Sequence, residues 1–123
     1  MKTVLIVEDD VFLSDMYQTK FTESGYVVNV AQDGAQALAM LQGGVRPDVV
    51  LLDIVMPKMD GLEVLAVIKK EEKFKDIPVI LLTNLGQESD VERGMETGAK
   101  AYLVKAHFTP SELVKKTEEI LAA

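Results

Sequence analysis

Hydrophobic residues along this chain alternate between short continuous runs and longer stretches with a helical period. The run from Lys2 to Val7 predicts a buried strand, cut off by Glu8-Asp9-Asp10. From Val11 to Ser24 the period becomes helical, with Leu13, Met16, Tyr17 and Phe21 on one face and Gly25 as a C-terminal cap. Tyr26 to Val30 predicts a strand of alternating character, Asp33-Gly34 a turn, and Ala35 to Gln42 a short helix with Ala37, Leu38 and Leu41 inward. Gly43-Gly44 closes that helix, and Pro47-Asp48 leads into a strand from Val49 to Leu52.

The next helix announces its own start. Asp60 with Glu63 three residues later forms a capping-box pair, and Val64, Leu65 and Ile68 supply the apolar stripe. Ile77-Pro78 introduces a strand from Val79 to Leu82. Gln87 to Thr97 predicts a weaker helix, whose only large apolar residues are Val91 and Met95, with Gly94 inside. Ala101 to Val104 predicts a fifth strand. Thr109-Pro110-Ser111-Glu112 then joins an N-cap, a first-turn proline and a capping-box Glu ahead of Leu113, Thr117, Ile120 and Leu121. Five strands alternating with five helices predict an α/β fold on a parallel sheet. Near-continuous apolar strands require both faces covered, so the sheet is doubly wound.

Composition narrows the class. A chain of 123 residues closes one core, and 48% apolar with 27% charged residues indicates a globular domain. Thirteen Lys+Arg against twenty Asp+Glu give a net charge of −7, which argues against sequence-independent nucleic-acid binding. There is no cysteine, so disulfide and thiolate chemistry are excluded. No apolar stretch approaches the roughly 18 residues of a membrane span, and the start lacks a signal-peptide core. The expectation is a cytoplasmic protein with no membrane contact, folded as a single domain over residues 1–123 with no output domain attached.

The polar residues that end the strands carry the chemistry. Glu8, Asp9 and Asp10 end the first run, Asp53 the third, Thr83 the fourth and Lys105 the fifth. In a parallel sheet those ends share one edge, and ligands bind there. Carboxylates, a hydroxyl and an ammonium together suit a hard cation and a phosphoryl group received by a carboxylate. Flavin mononucleotide binding fits poorly, because acids follow the first strand where a phosphate cradle needs Gly and hydroxyls. Phosphatases of the haloacid-dehalogenase type, which also use an Asp nucleophile and Mg2+, usually place a second Asp two residues later as general acid, where this chain has Val55, which cannot transfer a proton.

Val-Glu-Asp-Asp at 7 to 10, Leu-Leu-Asp-Ile-Val-Met-Pro at 51 to 57, Asp60-Gly61, Leu-Thr at 82 to 83 and Lys105 resemble a bacterial two-component response regulator, specifically its receiver domain, over essentially the whole chain. The resemblance implies a flavodoxin-like sheet ordered 2-1-3-4-5. It implies that Asp53 accepts a phosphoryl group from a sensor histidine kinase or phosphotransfer protein. Mg2+ would be held by Glu8, Asp9, Asp53 and the backbone carbonyl of Val55. Thr83 would bond the phosphoryl oxygen and Lys105 would pair with it, while Tyr102 turns inward on activation and changes the surface of the fourth helix, fifth strand and fifth helix for a downstream protein. Such a chain is not an enzyme in the ordinary sense, since it acts only on its own Asp53. A phosphorylation-dependent homodimer stays open, and the alternative is a receiver-like adaptor that works without phosphorylation.

The chain departs from the family pattern in three respects. Ala106 follows the lysine where a cis proline is common, and a non-proline cis bond costs about 3 kcal/mol. Asn84 follows Thr83 where a small Ala is common, which predicts altered access to the phosphoryl group. Val55 and Leu85 flank the route of attacking water and are both apolar, which predicts slow loss of the phosphoryl group. Asp10 is expected as a helix N-cap, and His107, the only histidine, as a surface residue.

Overall fold

The computed structural model describes residues 1–123. Strands β1 (Thr3–Val7), β2 (Val27–Ala31), β3 (Val49–Asp53), β4 (Val79–Thr83) and β5 (Ala101–Val104) alternate with helices α1 (Val11–Glu23), α2 (Gly34–Gln42), α3 (Gly61–Lys70), α4 (Glu88–Thr97) and α5 (Pro110–Ala122). All neighbouring strands pair in parallel, in the order β2-β1-β3-β4-β5. This is the doubly wound, flavodoxin-like sheet.

The strand pleat divides the core in two. Leu5, Val7, Val50, Leu52, Val79 and Leu81 pack with the inward residues of α2 and α3, while Val4, Ile6, Val49, Leu51, Ile80 and Leu82 pack with Tyr17 and Phe21 of α1 and Leu113 and Val114 of α5. Both sides of β3 and β4 are therefore buried, which is why those strands read as unbroken apolar runs. Edge strand β2 is half-exposed.

Each polar break at a helix start has a structural use. Asp10, Asp33, Asp60 and Thr109 accept hydrogen bonds from the backbone N–H groups of Leu13, Gln36, Glu63 and Glu112, at 3.1, 2.8, 2.9 and 3.2 Å. Such caps satisfy otherwise orphaned donors and are worth about 1 kcal/mol each. Asp33-Gly34 is therefore a cap and first helical residue, not a free turn. Tyr26 lies outside β2; its N–H closes on Phe21 O at 3.0 Å, and its ring meets Phe21 edge-on at 5.0 Å. The weak helix α4 has Gln87 at its N-cap position, with no side-chain cap bond. Gly94, which looked like a flaw in that helix, lies buried against Leu81, where a Cβ would collide with the leucine's methyl end. All peptide bonds are trans, including Lys105-Ala106, and Lys105–His107 forms a single 3-10 turn.

Candidate functional site

The sheet order sets the site. β1 and β3 are neighbours, but the chain leaves them toward opposite faces, so their carboxyl ends open a crevice. Glu8 follows β1 and Asp53 ends β3, and both side chains are buried. The N–H of Glu8 donates to Ala31 O at 3.0 Å and that of Ile54 to Leu82 O at 3.1 Å, so the ladder grips the backbone beside each acid. Lys105, just past β5, reaches back across β4. Its Nζ stands 2.7 Å from Glu8 Oε2 and 3.0 Å from Asp53 Oδ2.

Asp9 completes the cluster from the exposed side. Carboxylate oxygens of Glu8, Asp9 and Asp53 all lie within 4.8 Å of one another. One ammonium among three carboxylates leaves the cluster short of positive charge. Asp53 Oδ1 is buried with no hydrogen-bond partner, and Glu8 Oε2 has only the Lys105 ammonium beside it. Buried oxygens left so are costly unless a cation or proton joins them. The donor set is all oxygen and acidic, which fits Mg2+ and gives no purchase to a soft metal. Val55, two residues past Asp53, exposes its side chain beside this cluster's strand.

The electrostatics agree with that deficit. Burial pushes the Asp53 carboxyl up from 3.8 to about 7, with Glu8 adding to the rise and Lys105 opposing it. Burial works against the Lys105 ammonium, yet its bond to Glu8 and the charge of Asp53 outweigh it and hold it above the ordinary lysine value. One ammonium charge can balance only one of the two carboxylates, and the shorter contact goes to Glu8.

The other sequence-predicted residues divide. Asp10 caps α1 and stands outside the carboxylate cluster. His107 is exposed. Thr83 is buried at the end of β4, but its hydroxyl points at Gln87 Oε1, 2.9 Å away, and not at Asp53. Tyr102 faces outward, 47% exposed, on a groove of about 670 Å³ that Leu85, Val91, Met95, Val104 and His107 also line. Sequence reasoning missed Gln87. Its one sequence signal was a polar residue four after Thr83, at the start of a helix lacking any better cap.

The family model for the response regulator receiver domain matches residues 4–118. The probable transcriptional regulator ycf27 of Guillardia theta is 42% identical over 96% of this chain, which covers 44% of that protein. The chain spans about half the length of the curated relatives it matches. Among solved structures, the Mn2+-bound response regulator Rcp1 is 33% identical with a TM-score of 0.80, over 99% of this chain and 91% of that one. The phosphorylated cyanobacterial phytochrome response regulator RcpA is 30% identical with a TM-score of 0.88, over 99% and 94%.

Proposed function

The chain belongs to the response regulator receiver family of two-component signal transduction, and from that premise we propose that it takes a phosphoryl group onto Asp53 from the phosphohistidine of a sensor kinase or phosphotransfer protein. The observation that carries this reading is the buried Asp53 carboxylate, with one oxygen on Lys105 and the other without a partner, inside a cluster short of positive charge.

In this reading an Asp53 oxygen attacks phosphorus as the phosphorus–nitrogen bond breaks, and the imidazole leaves with its electron pair. The residues do little covalent work beyond placing that oxygen. Lys105 exchanges its contact with Asp53 for the equatorial phosphoryl oxygens, a task suited to a compact point charge. The Thr83 hydroxyl donates to another of them. Glu8, Asp9, Asp53 and the Val55 backbone carbonyl would hold Mg2+, which supplies charge neutralisation between the carboxylates and the phosphoryl oxygens when bound. Mn2+ in Rcp1 and phosphorylation in RcpA support the same chemistry here by kinship.

The response travels through α4 and Tyr102. Few large apolar side chains hold that helix, so it shifts at low cost. Tyr102 turning inward would remake the groove beside it for a downstream protein. No helix is long and apolar enough to cross a membrane, and the −7 charge favours protein docking over nucleic acid. Cytoplasmic placement accords with both.

Incubation with acetyl phosphate and Mg2+, followed by intact mass, tests the reading. One phosphoryl group is expected on the wild-type chain, none after EDTA and none on Asp53→Ala. A chain that binds Mg2+ but gains no phosphoryl group would belong to the adaptor class instead. The same sample gives the lifetime. Val55 and Leu85 are 51% and 70% exposed and offer water no polar partner, so the adduct should persist for many minutes. Leu85→Glu should shorten it about tenfold by orienting water for attack. Loss within seconds from the wild type contradicts this.

A further inference from the structure

We infer that Gln87 is a positioning residue that holds the Thr83 hydroxyl in its resting orientation, in competition with a phosphoryl group on Asp53. The inference rests on the phosphoacceptor reading and adds the element against which that group must work.

The geometry fixes which atom does what. The Asn84 N–H and the Thr83 hydroxyl converge on a single atom of the Gln87 side chain, at 2.8 and 2.9 Å. A backbone N–H can only donate, so that atom is the carbonyl oxygen of the amide. Thr83 must then be the donor. Its second contact, to Asn84 O at 3.1 Å, competes for the same hydrogen. Phosphoryl oxygens are acceptors and would need that hydrogen too. A hydroxyl has only one, so Thr83 serves Gln87 or the phosphoryl group, never both.

Gln87 is placed to make this exchange matter. It is the residue before α4, yet its side chain makes no capping bond to its own helix. Gly86, at φ +85°, reverses the chain so that the amide folds back onto the end of β4. The bond therefore ties the end of β4 to the first turn of α4. When Thr83 rotates toward Asp53, Gln87 loses one of its two donors and the start of α4 keeps only the bond from the Asn84 N–H. The departure of Thr83 and the loosening of α4 become one event.

Removing the acceptor should therefore favour the phosphorylated arrangement. Beryllofluoride with Mg2+ mimics the phosphoryl group and can be titrated by calorimetry. Gln87→Met, which keeps the volume, and Gln87→Ala are each expected to bind it about fivefold more tightly than wild type, the factor for one hydrogen bond of net worth about 1 kcal/mol. Gln87→Glu keeps an acceptor and should bind no more tightly than wild type. In a Thr83→Ala background the effect of Gln87→Met should vanish. In the free protein, Gln87→Met should speed exchange of the Asn84 amide hydrogen. An unchanged or weaker affinity in Gln87→Met and Gln87→Ala, or an equal gain without Thr83, overturns the inference. So does unchanged Asn84 exchange. Absence of beryllofluoride binding by the wild-type chain would instead bring down the phosphoacceptor reading, and this inference with it.

Discussion

In EDTA, Asp53→Asn is more stable than the wild-type chain, and its advantage grows as the pH rises from about 4 through about 7. The sign follows from the direction in which the Asp53 carboxyl moves. It is raised in the fold from 3.8 to about 7, chiefly by burial and then by the charge of Glu8. A group raised in this way contributes stability that is fully present below 3.8 and is lost as pH climbs through about 7. The asparagine carries no charge to bury, so it does not share the loss. Each tenfold change in proton affinity is worth about 1.4 kcal/mol, so the rise from 3.8 to about 7 brings the difference to the order of 2–4 kcal/mol above pH 7. For a domain of this size that is on the order of 10 °C in Tm.

The opposing effect is the ion pair. Lys105 at 3.0 Å favours the charged Asp53, and if that pair dominated, the asparagine variant would be the less stable at neutral pH. It does not dominate, because Glu8 holds the same ammonium at 2.7 Å. With Asp53 neutral, Lys105 and Glu8 remain as a closed pair. Thermal melts of the two proteins between pH 4 and 8, with other carboxylates common to both, isolate the difference. An asparagine variant that melts below the wild type at pH 7.5 would reverse the ranking of burial and ion pair. Mg2+ should stabilise only the wild type strongly, by about 2.7 kcal/mol at a hundred times its Kd. In the proposed function, the charge that makes the resting site unstable is also the one that would bind metal and attack phosphorus.

Much of this was legible because the fold exposes its chemistry at the ends of runs. Where Val49 to Leu52 stops, Asp53 begins, and a parallel sheet brings such ends together whatever the strand order. Capping boxes at Asp60 and Thr109 were equally plain, since their partners lie three residues away. What stayed hidden depends on contacts distant in sequence or on rotamers. Phe74 is buried under the Arg46 guanidinium, at 5.1 Å, although it sits among the charges of Glu71 to Lys75 with no period to mark it. Gly94 reads as a helix defect until Leu81 of β4 is seen against it. Residue type placed Thr83 at the site, but only its χ1 orientation turns the hydroxyl to Gln87. The strand boundary at Tyr26 slipped by one residue because the tyrosine's backbone serves the end of α1 while its ring joins the core.

Gly61→Ala is expected to cost more stability than any other single methyl added to this protein, and to disturb the proposed phosphoacceptor site with it. The glycine opens α3 directly after its cap, Asp60, and its N–H donates to Ile54 O at 2.8 Å. A Cβ there would meet the carbonyl oxygen of Asp53, and would stand 2.8 Å from Ile54 Cα and 2.9 Å from the Asp53 carbonyl carbon. All three atoms are backbone, fixed by the ladder between β3 and β4, so no rotamer change relieves them. Overpacking in a close-packed interior commonly costs 1–3 kcal/mol, and here the upper end, about 3 kcal/mol, applies. Tm should fall by roughly 10 °C. Gly94→Ala is the informative contrast. It too would collide, but with the mobile end of the Leu81 side chain, and alanine returns about 1 kcal/mol of helix propensity. Its loss should be less than half that of Gly61→Ala. The two also differ in what they disturb. Displacing α3 from the end of β3 moves Asp53 relative to Glu8 and Lys105, so acetyl phosphate should label Gly61→Ala at least tenfold more slowly even where it is fully folded, because transfer depends on alignment of the attacking oxygen. Gly94→Ala should be labelled at the wild-type rate. Equal melting temperatures for the two variants would mean that α3 can step away from β3 without cost. Wild-type labelling of a destabilised Gly61→Ala would mean that Asp53 is held by its own strand alone.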